Sequence, residues 1–165
     1  MKLCILGGGL TGLSLAKSLV KKGLSIDIFL NKKKSDFNRS RTIGISNDNL
    51  MYFNKEILDI KKLFWDIKKI EIYSENLRNE KILNFENNNK TVFAIIRNYQ
   101  LQSKLLKSLK KDKLCKFKQN FDYNLSNLKK YKLIINCEND NYFSKKFFAR
   151  SLKKKYDSLA YTTIL

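Results

Sequence analysis

A short apolar run, Lys2–Leu6 (KLCIL), leads straight into three consecutive glycines, and a further glycine follows at position 12. Gly7, Gly9 and Gly12 therefore stand as G-x-G-x-x-G. Beyond them Leu10, Leu13, Ala16, Leu19 and Val20 recur at the spacing of a helix stripe, with Lys17, Lys21 and Lys22 off it. Gly23 stands where such a helix stops, and Ile26–Leu30 (IDIFL) reads as the next strand. The glycines thus lie between a strand and a helix inside a βαβ unit, the context that gives this motif its meaning. The first glycine allows a tight turn, the second a close approach of backbone to a pyrophosphate, and the third tight packing of helix on strand. The free N–H groups and partial positive charge of the helix start suit a diphosphate. A fold that grows from this unit is α/β and Rossmann-like, with a parallel sheet and some antiparallel strands.

A dinucleotide site of this kind usually carries Asp or Glu at the end of the second strand, on a ribose hydroxyl pair. Here Leu30 stands in that place, and Asp27 lies inside the strand, where alternation points it elsewhere. Asn31 is left as the polar candidate, with Lys32, Lys33 and Lys34 after it. That lysine run admits two readings, a solvated basic loop or a site for the 2′-phosphate of NADP.

Composition removes several chemistries. The chain has no His, which takes away the commonest general base and every His-dependent nucleophile. Cys4, Cys115 and Cys137 are widely separated and odd in number, a poor metal set and better read as buried thiols of a reducing, cytoplasmic compartment. No stretch approaches the roughly 18 apolar residues of a membrane span. The formal charge of +19, from 34 basic and 15 acidic residues, would normally suggest nucleic acid. Its lysines are scattered through every segment rather than gathered in a patch, so no specific nucleic acid is expected, only salt-sensitive binding to polyanions.

Further along, Ser46 and Asp48 can cap a helix through Asn54, and a second short helix is expected over Ile57–Phe64. Ile67–Tyr73 reads as a strand. Glu80–Phe85 and Thr91–Ile96 read as two more, joined by a turn at Asn87-Asn88-Asn89. Leu101, Leu105, Leu106 and Leu109 predict a helix over Asn98–Leu109. Leu114–Phe117 and Leu133–Cys137 read as strands, Phe143–Leu152 as helix and Leu159–Leu165 as a β-rich run.

Taken in order, these pieces resemble the N-terminal half of the FAD-dependent aromatic-ring monooxygenases, in particular the ubiquinone-biosynthesis hydroxylases related to para-hydroxybenzoate hydroxylase. The stretches that carry the likeness are CILGGGLTGLSLAKSLVKKGLSIDIF, RTIGISNDNLMYFNKEILDIKKLFW, in which an arginine precedes a small-residue turn and a helix, FAIIRNYQLQSKLLKSL, and YDSLAYTTIL. The resemblance implies one FAD-binding domain over residues 1–165, short of the family's full length, with a substrate-domain strand beginning at about Tyr156–Leu165. It implies FAD contacts from Gly7, Gly9 and Gly12, from Leu10 and Thr11 at the helix start, and from Asn31. Arg41 would lie near the flavin chain or pyrophosphate and Arg97 beside the ribityl region. Each arginine can equally be a surface ion-pair partner, although the Arg fork is not replaceable by Lys. No catalytic residue and no metal ligand is assigned. The implied activity is hydroxylation of an aromatic ring with NAD(P)H as electron donor, a second polypeptide completing the site, and peripheral membrane contact through a lipophilic quinone precursor. The family's Asp-Gly stretch after the Leu133–Asn136 strand stands here as CENDNYFSKKF, with Asp140 and Ser144 as its relics and Glu138 and Asn141 in the glycine places. Two other readings stay open: a free-standing NADP-binding Rossmann protein, and a basic interaction module or truncated remnant without a cofactor.

Overall fold

The structure is a computed structural model that describes residues 2–30, 39–74, 78–119, 121–124, 128–148, 154, 155 and 157. It divides into two compact units, one of residues 1–40 and 104–165 and one of residues 41–103.

The first unit is built on a parallel sheet of four strands: β1 (Lys2–Leu6), β2 (Ser25–Leu30), β8 (Cys115–Gln119) and β9 (Leu133–Asn136), in the order β8-β2-β1-β9. Parallel strands covered on both faces read as unbroken apolar runs, and Leu3, Cys4, Ile5 and Leu6 of β1 are all buried. Helix α1 (Leu10–Lys21) connects β1 to β2 and lays Gly12, Leu13, Ala16 and Val20 into the interior. It ends as the sequence predicts. Gly23 takes φ +78°, its N–H reaches the Val20 carbonyl, and the Leu24 N–H reaches that of Leu19, the paired bonds of a Schellman stop. Helix α4 (Tyr142–Phe147) follows β9.

The second unit holds an antiparallel sheet of three strands in the order β3-β7-β4, from β3 (Thr42–Ser46), β4 (Phe64–Ile67) and β7 (Phe93–Arg97). It also holds helix α2 (Asn47–Tyr52), which continues into a π-helical turn (Phe53–Ile57), and a two-stranded ribbon of β5 (Lys69–Ser74) and β6 (Glu80–Glu86). Ala94 and Ile96 of β7 are fully buried. Helix α3 (Asn98–Lys110) starts directly at the end of β7 and buries Leu101, Leu105 and Leu109.

Five expectations change here. The small-residue turn after Arg41 is strand β3, because Thr42, Ile43 and Ile45 favour extended backbone and pair with Arg97, Ile96 and Ala94 of β7. No helix covers Ile57–Phe64: Leu58 is extended, and the side chains of Asn54 and Asp59 accept the backbone N–H groups of Ile60 and Lys61, a local competition that disfavours helix. The expected strand Ile67–Tyr73 is broken at Lys68 into β4 and β5, which join different sheets. The strands flanking the Asn87–Asn89 turn do form, with Asn88 and Asn89 at positive φ, but they do not pair with each other. β6 pairs with β5, and β7 with β3 and β4. The last helix begins one residue early, at Tyr142, and ends at Phe147. Residues 149–152 of its expected span, the Leu159–Leu165 run, Asn31 and Lys32–Lys34 lie outside the described residues.

Candidate cofactor site

The order β8-β2-β1-β9 sets where a ligand can enter. From β1 the chain builds outward through β2 to β8, then crosses to the other side of β1 for β9. The crevice past the carboxyl ends of β1 and β9 is therefore the topological switch point, the place where open α/β sheets bind ligands. The glycine turn leaves β1 at that point. Gly7, at φ +113°, sits so close to the chain leaving β9 that a Cβ there would lie 2.8 Å from the Glu138 Cγ and 3.1 Å from the Cys137 carbonyl oxygen. A Cβ on Gly12 would run into the Gly7 carbonyl, so α1 comes down on the turn itself. At Gly9 a Cβ would meet nothing within 4 Å. One glycine is thus free of neighbours while two are required by packing, which matches the division between close ligand approach and close helix–strand contact.

Gly9 is also the N-cap of α1. It brings no capping side chain, and the first turn holds no acidic residue. The backbone N–H groups of Leu10, Thr11 and Gly12 belong to that turn, whose first internal bond runs from the Leu13 N–H to the Gly9 carbonyl. The diphosphate end of a dinucleotide fits this cradle: open backbone, a helix N-terminus and no competing carboxylate on the first turn.

The ribose end departs from the usual pattern, as the sequence predicts. A Cβ on Gly8 would strike the Leu30 side chain, so Leu30 packs against the turn. Asp27 is buried on the sheet face that also carries Phe29. Its Oδ2 is paired with Lys118 at 2.6 Å and Lys2 at 2.9 Å and accepts the Tyr131 hydroxyl at 2.7 Å. Burial alone would raise the Asp27 carboxyl. The hydrogen bonds from Lys118, Tyr131 and Lys2 outweigh it and hold the group below its usual value. Burial and the bond to Asp27 push Tyr131 up to about 12. Asp27 is committed to holding β1, β2 and β8 together and is not available to a ribose.

Beyond β9 the turn is held by a polar knot whose Glu138, Asn141 and Ser144 lie in the stretch that the family resemblance singled out, without the bonds between them. Asn141 caps α4 by accepting the Ser144 N–H at 3.0 Å, and its Nδ2 donates to the Asn136 Oδ1 at 2.6 Å. Asn136 donates to the Ser144 hydroxyl, which donates to the Glu138 carbonyl at 2.8 Å. Asp140 is exposed and pairs with Lys145. An open groove of about 1380 Å³ runs along this edge, lined by Ile134, Asn136, Glu138, Phe143 and Phe147 among others.

Arg41 and Arg97 lie in the second unit, at one end of the β3–β7 pair. Thr42 faces Arg97 in the register, and the Arg41 carbonyl accepts the Asn98 N–H at 3.0 Å. Arg41 is exposed. Arg97 is half-buried with its guanidinium 5.4 Å from the centre of the Trp65 ring, a contact no local pattern announces. The Arg97 Nε and the Asn98 Oδ1 are buried without a hydrogen-bond partner among the described residues.

No metal-ligating cluster of His, Cys, Asp or Glu occurs among the described residues, nor any helix long and apolar enough to cross a membrane. Burial lifts all three thiols, Cys4 to about 12 and Cys115 to about 11, so none is a ready nucleophile.

Against known proteins, no family model matches the chain, and no curated protein matches it. Solved structures do. PqsL of Pseudomonas aeruginosa in complex with 2-aminobenzoylacetate superposes over 94% of this chain with a TM-score of 0.66 and 9% identity. The p-nitrophenol 4-monooxygenase PnpA of Pseudomonas putida DLL-E4 covers 72% with a TM-score of 0.59 and 17% identity. HpxO of Klebsiella pneumoniae, complexed with FAD and uric acid, covers 71% with a TM-score of 0.53 and 18% identity. At these identities the likeness establishes the fold. This chain has the mixed α/β fold found in part of these proteins, and it spans 48%, 31% and 30% of their respective lengths.

Proposed function

We propose that the chain is the FAD-binding portion of a flavin-dependent monooxygenase that hydroxylates an aromatic ring, of the type used in ubiquinone biosynthesis. The observation that carries this is the glycine turn at the β1/β9 switch point, with Gly9 open and Gly7 and Gly12 closed by packing. In this reading residues 1–165 act as one FAD-binding domain. Gly7, Gly9 and the first-turn N–H groups of Leu10 and Thr11 receive the diphosphate, Asn31 contacts the nucleotide, and Arg41 and Arg97 supply cations to the flavin end. Bound FAD supplies the redox and oxygen chemistry, with NAD(P)H as electron donor. The chain's own residues bind and orient, and its lifted thiols stay out of the reaction. Three unpaired cysteines accord with a reducing cytoplasm. The substrate side is completed by a second polypeptide, and a lipophilic quinone precursor brings the assembly to a membrane surface.

One observation favours a different cofactor. Leu30 replaces the ribose acid, and Lys32–Lys34 follow it, which suits the 2′-phosphate of NADP. An absorbance spectrum of the purified protein, with and without added FAD, separates the two. The expected result is a retained, resolved flavin band that is lost in Gly9→Val. A colourless protein that takes up no FAD overturns the flavin reading, and an NADP titration then decides between NADP binding and a chain without a cofactor.

A further inference from the structure

The sheet of the second unit has one closed face and one open face. Alternate residues of a strand point to opposite faces, so Ala94 and Ile96, fully buried, line the closed one. Phe93, Ile95 and Arg97 line the other. The register sets Thr42 and Gly44 of β3 beside Arg97 and Ile95, and Trp65 of β4 beside Ile95 from the opposite flank. Trp65 is therefore a diagonal neighbour of Arg97 on the same face, close enough for its ring to hold the guanidinium at 5.4 Å. Gly44 carries no side chain into this face, and the Phe93 ring occupies the space a Cβ would take.

How Arg97 is held matters for what it can do. No carboxylate pairs with it among the described residues. A carboxylate would hold a guanidinium by neutralising it, whereas the ring face holds it by its quadrupole and leaves the charge and the N–H fork available. Two buried atoms at consecutive positions, the Arg97 Nε donor and the Asn98 Oδ1 acceptor, have no partner among the described residues. Buried polar atoms are nearly always paired, so such a pair points to a group that does not belong to the chain.

We propose that Trp65 is a positioning residue. It holds Arg97 as an un-neutralised fork for an oxyanion of the bound ligand, and Asn98 accepts a hydrogen bond from the same ligand. This rests on the flavin reading, in which Arg97 stands beside the ribityl chain and the oxyanion is the phosphate that ends that chain. Trp65 is the chain's single tryptophan and is exposed, so replacing it leaves the core intact.

The test compares FAD affinity, followed by flavin fluorescence anisotropy, in wild type, Trp65→Leu, Trp65→Phe, Arg97→Gln and the Trp65→Leu/Arg97→Gln double variant, with thermal melting as the control for folding. Trp65→Leu is expected to weaken FAD by about tenfold, and Trp65→Phe, which keeps a ring face, by no more than about threefold. Because Trp65 acts through Arg97, the double variant binds no worse than Arg97→Gln alone. A Trp65→Leu protein that binds as tightly as wild type, or losses that multiply in the double variant, overturns the proposal. Wild type that takes up no flavin sinks the flavin reading instead. The positioning role is then decided with inorganic pyrophosphate followed by Trp65 emission. A saturable change that disappears in Arg97→Gln keeps it, and no change overturns it.

Discussion

In β1 the side chains of Leu3, Cys4, Ile5 and Leu6 are at most 2% exposed, whereas every residue of β6 is exposed, with Ile82 at 50% and Leu83 and Phe85 at 47%. Both strands are short and rich in apolar residues. The difference is where they stand. β1 is flanked by β2 and β9 and packed by α1. β6 has one partner, β5, in a ribbon whose Ile70–Phe85 and Ile72–Leu83 pairs form one face. On the other side Glu71 is clamped by Lys69 and Lys81. A two-stranded ribbon is marginal by itself in water. The parallel sheet of the first unit is therefore held by a buried core, while the described residues of the ribbon are held chiefly by its cross-strand pairs.

The strongest way to break this contrast is at the glycine turn. Gly12→Val drives a side chain into the Gly7 carbonyl and is expected to cost about 3 kcal/mol or more, read by chemical denaturation of the first unit. Gly9→Val meets no neighbour and is expected to leave the melting temperature nearly unchanged while abolishing FAD uptake. If both variants unfold the protein alike, the division of labour among the glycines is wrong.

Matched truncations in the two strands sharpen the comparison. Ile5→Ala in β1 should destabilise by about 2–5 kcal/mol, and Phe85→Ser in β6 by under about 1 kcal/mol. Equal losses would mean that the ribbon is packed in solution.

Next in size is Asp27. Its carboxyl is lowered in the folded chain, so its contribution is present above the unfolded value near 3.9 and is lost as pH falls through the lower folded value. Asp27→Asn should cost about 2 kcal/mol at neutral pH, the scale of hydrogen bonds to a charged group. It should also flatten the acid side of the stability profile below about pH 4. An acid limb unchanged in Asp27→Asn would show that other carboxylates carry it.

The smallest effect belongs to Glu71. Hydrogen bonds from Lys81 and Lys69 hold it at about 2, yet the cluster faces water, where ion pairs contribute little. Glu71→Gln is expected to leave the thermal melt where it is. A clear drop would make the clamp, rather than the cross-strand pairs, the element that orders the ribbon.

What could be read from residues alone follows the same divide. In the first unit β1, α1 and β2 were legible because each signal is local: an unbroken apolar run, a helix stripe, glycines at fixed spacing. Leu30 in the acid's place and the misdirected Asp27 followed from alternation along one strand. In the second unit β6 and β7 were legible, whereas strand β3, the break between β4 and β5, and the partners of all these strands were not. Nothing near Asn87–Asn89 says that β6 turns back to β5 while β7 goes to β3 and β4, because the choice depends on faces that meet only in the folded sheet. The Trp65–Arg97 contact had no local signature for the same reason: the two residues are 32 positions apart (97 minus 65) and meet only across the β4–β7 pair. Asn136 was read as the end of a strand and Asn141 as a residue in a glycine's place, and neither reading announced the bonds that join them to each other and to Ser144.

Cys4 sits in β1, three residues ahead of the glycine turn, and burial with the nearby charge of Asp27 lifts its thiol to about 12. A thiol lifted that far stays protonated at neutral pH. Oxidation by peroxide proceeds through the thiolate. The strand beneath the glycine turn therefore carries its sulfur in the form that oxidants attack least.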